Sequence, residues 1–395
     1  MDICILKIVF MLIKFKITYI IMNSSFIKNV FIIITIATAL FVISLEGIRF
    51  IHIINNFAVK VSKFVSPLTY EKRYLFSERS YKLDNYDSND PALKFYEHHS
   101  IRGWTTKKNL KIFVEGHSYT TNNIGERSLV NYKKDDSKYE VLVLGDSMTF
   151  GEGISDEFVW TNIVKKKNKN INIINLAVPG YGIDQMYLVL KETIKIYKPD
   201  LVILAFVKDD FARTMLSFRE ARKPYFEIKQ EELVLTNTPI KEPDEVYREL
   251  IEKNENKPFY KKLKIYNLFT ALFNSSTYRV GEENRFYVQN TCNAKCLRHN
   301  KKIFLESFNI SKKNNADFIA LYIPGDKKDR TEKKYASYVD RFLEEMKEEF
   351  GMEYLNLRPY FFGKHGFVSR GHYKIKGLNL IAETVNKQIL LGKTK

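Results

Sequence analysis

The chain has 395 residues and a basic balance, with 63 Lys and Arg against 46 Asp and Glu. This length accommodates a membrane segment and one or two domains. The lysines are spread along the sequence, and no basic stripe, zinc-finger spacing or aromatic RNA-binding pattern accompanies them. The composition therefore speaks against nucleic acid as a partner and supports at most a weak attraction to anionic lipids or polymers.

Residues 1–55 are predicted to form a membrane anchor region. Apolar residues dominate 30–45, with one charged residue at either end. A spanning helix needs about 20 largely apolar residues, so we predict a single transmembrane helix at about 27–48 that tethers an extracytoplasmic domain to the bilayer. A cleaved signal peptide is the alternative, although its apolar part would be unusually long. Lysines on both sides leave the orientation open, and Met22 is an alternative first residue.

Residues 56–138 are expected to form a stalk and a small β element. The stretch 56–93 mixes charged residues with Tyr, Ser and Asn without a clear period, which is typical of a stalk. From about Phe95 to Asn131, short alternating runs are separated by turn signals such as Glu115-Gly116. We expect this element to cover one edge of the core.

Residues 139–395 are predicted to form an α/β domain, because buried apolar strands alternate with helical patterns. The predicted strands are Val141–Leu144, Ile171–Leu176, Leu201–Phe206 and Phe318–Ile323, with a shorter one near Met352–Leu357. The predicted helices are Phe158–Lys167, Asp184–Tyr197, Thr331–Phe350 and Leu378–Leu391. Strands separated by helices make a parallel sheet, so we predict a three-layer α/β/α sandwich of the flavodoxin-like kind. The alternation breaks at about 215–305, which we interpret as an insertion that shapes the substrate cleft.

Two of the three cysteines lie in this insertion, in the sequence Cys292-Asn-Ala-Lys-Cys296. A local disulfide is favoured if the region is outside the cytoplasm, and two unpaired thiols are the alternative. A metal site needs more ligands than these two residues and His299. No metal and no cofactor is therefore predicted.

The first strand of the domain ends in Gly145-Asp146-Ser147. A serine at the carboxyl end of a parallel strand occupies the place where open α/β sheets bind their ligands. Met148 and Thr149 follow it, so the segment is not the Gly-x-Ser-x-Gly elbow of α/β-hydrolases. A Ser/Asp turn that only caps the following helix is the alternative interpretation.

The Gly-Asp-Ser block resembles the first block of the SGNH (GDSL-type) hydrolases, and three further segments match that family in the right order. Gly180 resembles the glycine of the second block, and Val207-Lys208-Asp209-Asp210 stands where the third block reads Gly-x-Asn-Asp. The segment around His372, before the final helix, resembles the block of the catalytic histidine. Arg102-Gly103-Trp104 and Thr121–Arg127 look like the lead-in of membrane-anchored bacterial members.

The resemblance implies a role for each matching residue. Ser147 is the expected nucleophile, and His372 is the base that takes its proton and returns it to the leaving group. The backbone N–H groups of Ser147 and Gly180 are expected to face the developing oxyanion. Asp209, in the position of the family's asparagine, is the third candidate for this oxyanion hole.

Two positions depart from the family pattern. The acid that orients the histidine lies two or three residues before it in the family, and those positions here hold Arg370 and Ser369. A Ser–His dyad is therefore expected instead of a triad. An ionised Asp209 accepts hydrogen bonds and cannot donate one to an oxyanion. It serves only when protonated, as crowding with Asp210 can favour, unless Lys208 donates in its place.

Together these features predict a membrane-tethered serine esterase or O-acyltransferase that acts on acyl esters, of a glycan or a lipid, through an acyl-enzyme. A catalytically degenerate SGNH module that binds glycan without turnover is the second interpretation. An ordinary membrane-anchored α/β protein, whose Gly-Asp-Ser is only a helix cap, is the third. Hydrolysis and acyl transfer share the acyl-enzyme, so the sequence does not separate them.

Overall fold

The structure is a computed structural model, and it describes residues 29–37, 95–217, 222–242, 245, 252, 256, 258–262, 292–325, 329, 337–362, 368–369, 372–391 and 393. Contacts divide the chain into two compact units. The first unit combines residues 1–70 and 253–279, and the second combines 71–252 and 280–395.

In the first unit, residues 29–37 form a helix with exposed apolar side chains, Ile33 and Ile34 among them. A short helix at Phe259–Lys262 is its other described element. No helix among the described residues has both the length and the apolar character that crossing a bilayer requires. Most of the transmembrane helix expected at about 27–48 lies outside the described residues.

The second unit begins with two antiparallel hairpins. In the first, β1 (Tyr96–His99) pairs with β2 (Gly103–Thr106), and in the second, β3 (Lys111–Val114) pairs with β4 (His117–Thr120). The stretch 56–93, expected to be a stalk, lies outside the described residues.

The other elements follow in chain order. They are β5 (Tyr139–Leu144), α1 (Ser147–Phe150), α2 (Trp160–Lys167), β6 (Ile171–Asn175), α3 (Ile183–Tyr197), β7 (Leu201–Phe206), α4 (Lys208–Arg213), β8 (Tyr225–Lys229), β9 (Glu232–Thr236), α5 (Ala294–Lys313), β10 (Asp317–Tyr322), α6 (Ser337–Phe350), β11 (Glu353–Asn356), α7 (Arg358–Phe361), β12 (Val368–Ser369), β13 (His372–Tyr373) and α8 (Ile375–Val385).

A five-stranded parallel sheet with the order β11-β10-β7-β5-β6 forms the centre of this unit. The central strands β5 and β7 are buried along their whole length, and Val141 of β5 lies opposite Leu201 of β7. Continuous apolar runs are typical of parallel strands covered on both faces. The parallel sheet predicted from the sequence is confirmed.

Helices cover both faces of the sheet. Successive residues of β5 alternate between two apolar clusters: Leu142 and Leu144 pack with α3, α5 and α6, whereas Val141 and Val143 pack with α2 and α8. Each fully buried side chain of this size contributes about 1.5–3 kcal/mol. This arrangement is the predicted three-layer α/β/α sandwich.

Helix α5 is absent from the elements predicted by the sequence pattern, although it is a long helix of the domain. It begins inside the range 215–305 that we expected to be an insertion, and its side chain at Phe304 packs in the core next to Phe206 and Phe342. Buried polar residues, Asn300, Ser307 and Ser311, interrupt the apolar stripe that identifies a core helix in a sequence. Hairpin β8–β9 also lies in this range.

The structure joins Cys292 and Cys296 in a disulfide at the start of α5. Asn293 caps this helix by accepting a hydrogen bond from the Cys296 backbone N–H at 3.0 Å. Within the described part of the chain, no group of three or more metal-ligating side chains comes together.

His299 of α5 is buried and stacks on the ring of Tyr225 at 5.7 Å. Burial, with help from the charges of Lys223 and Lys295, lowers the pKa of His299 from 6.5 to about 4. As the pH falls, the unfolded chain binds this proton before the folded one does. Stability should therefore fall between pH 6.5 and 4, with a contribution of at most about 1.4 kcal/mol per pH unit from this group.

We predict that His299→Gln removes this part of the pH dependence. Urea unfolding of both proteins at pH 7 and pH 5 measures it, and the free energy of unfolding should fall less steeply in the variant. His117→Gln, on β4, is the control for replacing a histidine outside α5. Equal slopes in His299→Gln and the unmodified protein would contradict the prediction.

Candidate active site

The turn between β5 and the short helix α1 carries the expected nucleophile, and we call its residues 145–147 the nucleophile turn. Asp146 caps α1, because its Oδ1 accepts a hydrogen bond from the Met148 backbone N–H at 2.9 Å. A Cβ at Gly145 would lie 2.6 Å from the Cβ of Thr149, so only glycine fits there. This close turn presents Ser147 at the carboxyl edge of the sheet. The motif is thus a helix cap, as the alternative interpretation expected, and it also positions a serine.

His372 reaches this turn from the other end of the domain. It lies on β13, directly before α8, and pairs antiparallel with Ser369 of β12. Its neighbour Tyr373 is buried, packs on Phe361 and donates its hydroxyl to the carbonyl oxygen of Pro324. These contacts fix β13 against the core, so the position of the imidazole does not depend on the histidine alone.

The imidazole Nε2 of His372 lies 2.9 Å from the Oγ of Ser147, although the two residues are 225 positions apart in the chain. This distance is within the hydrogen-bonding range that a general base needs. The Ser147 side chain is nearly buried, and that of His372 is 29% exposed. A proton can therefore pass between the two groups in a place that a solute can still reach.

A third ionisable group, Glu152, also lies at this site. Its Oε2 is 3.4 Å from Nε2 of His372, and its side chain is 47% exposed. Within the described residues, no carboxylate is bonded to Nδ1 of the imidazole. Ser369 meets His372 through the backbone pairing of β12 and β13, and Arg370 lies outside the described residues. Glu152 therefore faces the nitrogen that exchanges the proton, on the side of Ser147.

The turn that carries Gly180 lies beside the nucleophile turn. The Val178 N–H donates to the carbonyl oxygen of Gly145 at 3.0 Å. On the other side of Gly180, the Tyr181 carbonyl oxygen accepts from Arg213, which also binds Asp146. The φ of Gly180 is 85°, a left-handed conformation that glycine adopts without strain. Because Gly180 is the expected oxyanion donor, we call residues 178–181 the oxyanion turn.

The third block forms helix α4, and it places Asp210 deeper than Asp209. Asp210 accepts a hydrogen bond from the Val207 N–H at 2.9 Å and pairs with Arg213, whose Nη1 is also 3.2 Å from Asp146. Burial raises the pKa of Asp210 well above its ordinary value, and the nearby charge of Asp146 raises it further. The crowded carboxylates are thus Asp210 and Asp146, whereas Asp209 is only partly buried at the same edge.

Arg127 holds the segment that follows the nucleophile. Its guanidinium is fully buried, and its Nε donates to Asp156 at 2.7 Å. Its other nitrogens donate to the carbonyl oxygens of Phe150, Gly151, Ile154 and Ser118. The rings of Tyr119 and Phe150 lie on the guanidinium, at 4.2 and 4.8 Å. Glu152 is therefore carried by a loop that is tied to a buried cation.

No protein-family model matches the chain, and no curated protein matches it. Among solved structures, the chain is similar to TesA, with 11% identity, 64% of this chain and 98% of that chain covered, and a TM-score of 0.39. It is similar to a member of the lipolytic G-D-S-L family from Veillonella parvula DSM 2008, with 10% identity, 63% and 97% coverage, and a TM-score of 0.34. It is also similar to Axe2, an acetylxylan esterase from Geobacillus stearothermophilus, with 13% identity, 65% and 97% coverage, and a TM-score of 0.36.

The G-D-S-L family of the Veillonella protein is the one that the sequence blocks of this chain resemble. Because such distant similarities say nothing about substrate, the function is inferred below from the geometry of this site. The four sequence blocks did not predict the contacts that three residues make in this site: Glu152, Arg213 and Arg127. Of these three residues, only Arg127 lies in a segment that the sequence analysis singled out, since it ends the upstream segment Thr121–Arg127.

Proposed function

We propose that the protein is a serine ester hydrolase or O-acyltransferase that forms an acyl-enzyme on Ser147. The observation that carries this proposal is the 2.9 Å separation between Ser147 Oγ and His372 Nε2. A serine hydroxyl is a weak nucleophile until a base removes its proton. The dyad supplies that base at the edge of the sheet where α/β proteins bind ligands.

The reaction begins when the Ser147 Oγ attacks the acyl carbonyl carbon while its proton moves to Nε2 of His372. The tetrahedral oxyanion then accepts hydrogen bonds from the backbone N–H groups of Ser147 and Gly180. In such sites each donor stabilises the transition state by about 3 kcal/mol. His372 next gives the proton to the leaving alcohol, and the acyl group stays on Ser147. Water, or the hydroxyl of an acceptor, repeats the sequence in reverse and releases the acyl group.

Glu152 stabilises the imidazolium that exists between these proton transfers. Its carboxylate is close to Nε2, whereas the acid of a triad orients the ring from Nδ1. It therefore supplies charge without selecting the tautomer. Because the Glu152 side chain is about half exposed, water and salt screen this interaction, and its contribution is modest.

A binding module without turnover is the second candidate. Two observations favour it: Asp209 replaces the family's oxyanion asparagine, and no carboxylate within the described residues is bonded to Nδ1 of His372. A site that kept its shape and lost its chemistry would bind an acylated glycan at the same edge of the sheet. The two candidates differ in whether Ser147 forms a covalent bond.

We further propose that the enzyme is tethered to a membrane, with its domain on the extracytoplasmic side, and that its substrate is an acylated glycan or lipid. The apolar stretch at 27–48 supports the tether, since it has about the length of one span. The disulfide between Cys292 and Cys296 supports an oxidising compartment. A tether keeps the domain near lipids and surface glycans.

We predict that a fluorophosphonate probe labels the protein at Ser147. Labelling should be absent in Ser147→Ala and should fall at least about 100-fold in rate in His372→Ala, because the hydroxyl then loses its base. Intact-protein mass spectrometry and peptide mapping measure both effects, and circular dichroism controls for folding. A folded protein that the probe leaves unlabelled would favour the binding module.

We predict that Glu152→Gln lowers kcat on a small acyl ester by up to about fivefold, because the imidazolium loses a neighbouring charge. The difference from the unmodified enzyme should shrink when sodium chloride is raised from 0.1 to 1 M. Steady-state kinetics at both salt concentrations measure it, with Glu157→Gln as a control for removing a carboxylate from the same loop. A rise in kcat would instead mean that Glu152 competes with Ser147 for the proton of Nε2.

We predict that Asp209→Asn keeps or raises the activity, because an amide supplies the N–H donor that an ionised carboxylate lacks. The comparison uses kcat/KM on the same ester. A loss of more than about tenfold would show that Asp209 has an acidic role of its own.

A further inference from the structure

The segment Arg102-Gly103-Trp104 has no place in the chemistry above, yet it contacts the oxyanion turn. The indole Nε1 of Trp104 donates to the carbonyl oxygen of Pro179 at 3.0 Å. The hydroxyl of Tyr181 donates to the backbone carbonyl oxygen of Trp104, and the two rings pack edge to face at 5.5 Å. Both side chains are buried. Trp104 therefore binds the turn on both sides of Gly180.

The hydrogen bond from Trp104 is accepted by the peptide group between Pro179 and Gly180, which also carries the Gly180 N–H. Within the described residues, the only cis peptide precedes Pro239, so the Pro179–Gly180 peptide is trans. The C=O and N–H of a planar trans peptide point in opposite directions. A donor that holds the oxygen therefore sets the direction of the N–H. It also polarises the amide, which strengthens the N–H as a donor.

The Tyr181 hydroxyl keeps its proton for the second contact, because burial raises the pKa of Tyr181 to about 12. The oxyanion turn is also held at points that Trp104 does not touch. Val178 donates to Gly145, and Arg213 donates to the Tyr181 carbonyl oxygen. Without the indole N–H, the turn stays attached at these points while the Pro179–Gly180 peptide gains freedom to rotate.

We propose that Trp104 is a positioning residue that aims the Gly180 N–H at the oxyanion of the acyl transfer. The proposal rests on the proposed function of Ser147 and His372, and it assigns a role to the lead-in segment before the α/β domain. Trp104 touches no reacting atom, so its effect should appear in the transition state and leave substrate binding unchanged.

The experiment compares Trp104→Phe with Trp160→Phe. Both remove an indole and keep an aromatic ring. Trp160 is fully buried in the apolar cluster on the α2 and α8 face, and its Nε1 has no hydrogen-bond partner among the described residues. The control thus reports the effect of changing a buried tryptophan that is not bonded to the oxyanion turn.

We expect Trp104→Phe to lower kcat on a small acyl ester by about tenfold with KM unchanged, since a misdirected donor loses part of the 10²–10³-fold that removal of an oxyanion donor costs. The rate of fluorophosphonate labelling should fall in parallel. Trp160→Phe should change kcat by less than about twofold, even if thermal unfolding shows that it is the less stable variant.

Tyr181→Phe provides a second test that leaves every ring in place. It should lower kcat by about threefold with KM unchanged, because Trp104 loses one of its two bonds to the turn. This variant decides the matter if Trp104→Phe does not fold.

Two outcomes would overturn the inference alone: an active enzyme in which Trp104→Phe keeps its kcat, or equal losses in Trp104→Phe and Trp160→Phe. If the unmodified protein neither reacts with the probe nor hydrolyses esters, the proposed function fails, and this inference fails with it.

Discussion

The loop that follows the nucleophile depends on one buried cation, the guanidinium of Arg127. Its five N–H donors meet one carboxylate oxygen and four carbonyl oxygens, which offsets the cost of removing a charge from water. Burial lowers the pKa of Arg127, and Asp156 opposes that shift. Loss of either partner would leave an uncompensated buried charge, which typically costs about 3–5 kcal/mol. The same bonds close the loop in the shape that carries Glu152 to His372.

A second cation, Arg213, connects the two turns of the site to helix α4, on which it lies. It binds Asp146 beside the nucleophile, the Tyr181 carbonyl oxygen in the oxyanion turn, and Asp210 in the third block. Burial raises the pKa of Asp210, and the charge of Asp146 raises it further, whereas the shared guanidinium of Arg213 lowers it. The two turns and α4 are thus held by one shared charge network, so a substitution that displaces one of them should displace the others.

The sequence predicts β5, β7 and β10 well because each contains a continuous apolar run, and a parallel sheet brings the carboxyl ends of its strands to one edge. The dyad of Ser147 and His372 was expected from the resemblance of four short blocks to one family, because His372 lies on β13, outside this sheet. Helix α5 was not predicted, since polar residues such as Asn300 and Ser307 lie on its buried face and interrupt its apolar stripe. The contacts of Glu152 with His372, and of Arg213 with Asp146 and Tyr181, join residues far apart in the chain, so no local pattern encodes them. The anchor at 27–48 stays a prediction, because most of it lies outside the described residues.

The nucleophile follows the first strand of the main sheet in chain order, whereas the base lies on β13, after all five strands have been laid down. The reacting atoms of the two residues are therefore brought close together only in the completed domain. A partly synthesised chain has the serine before it has the histidine, so on the proposed function it lacks the base that activates Ser147. Local unfolding of β12, β13 and α8 would likewise separate His372 from Ser147 and abolish the proposed activity, while the main sheet stays folded. The dyad of Ser147 and His372 is thus complete only after the last elements of the domain have folded.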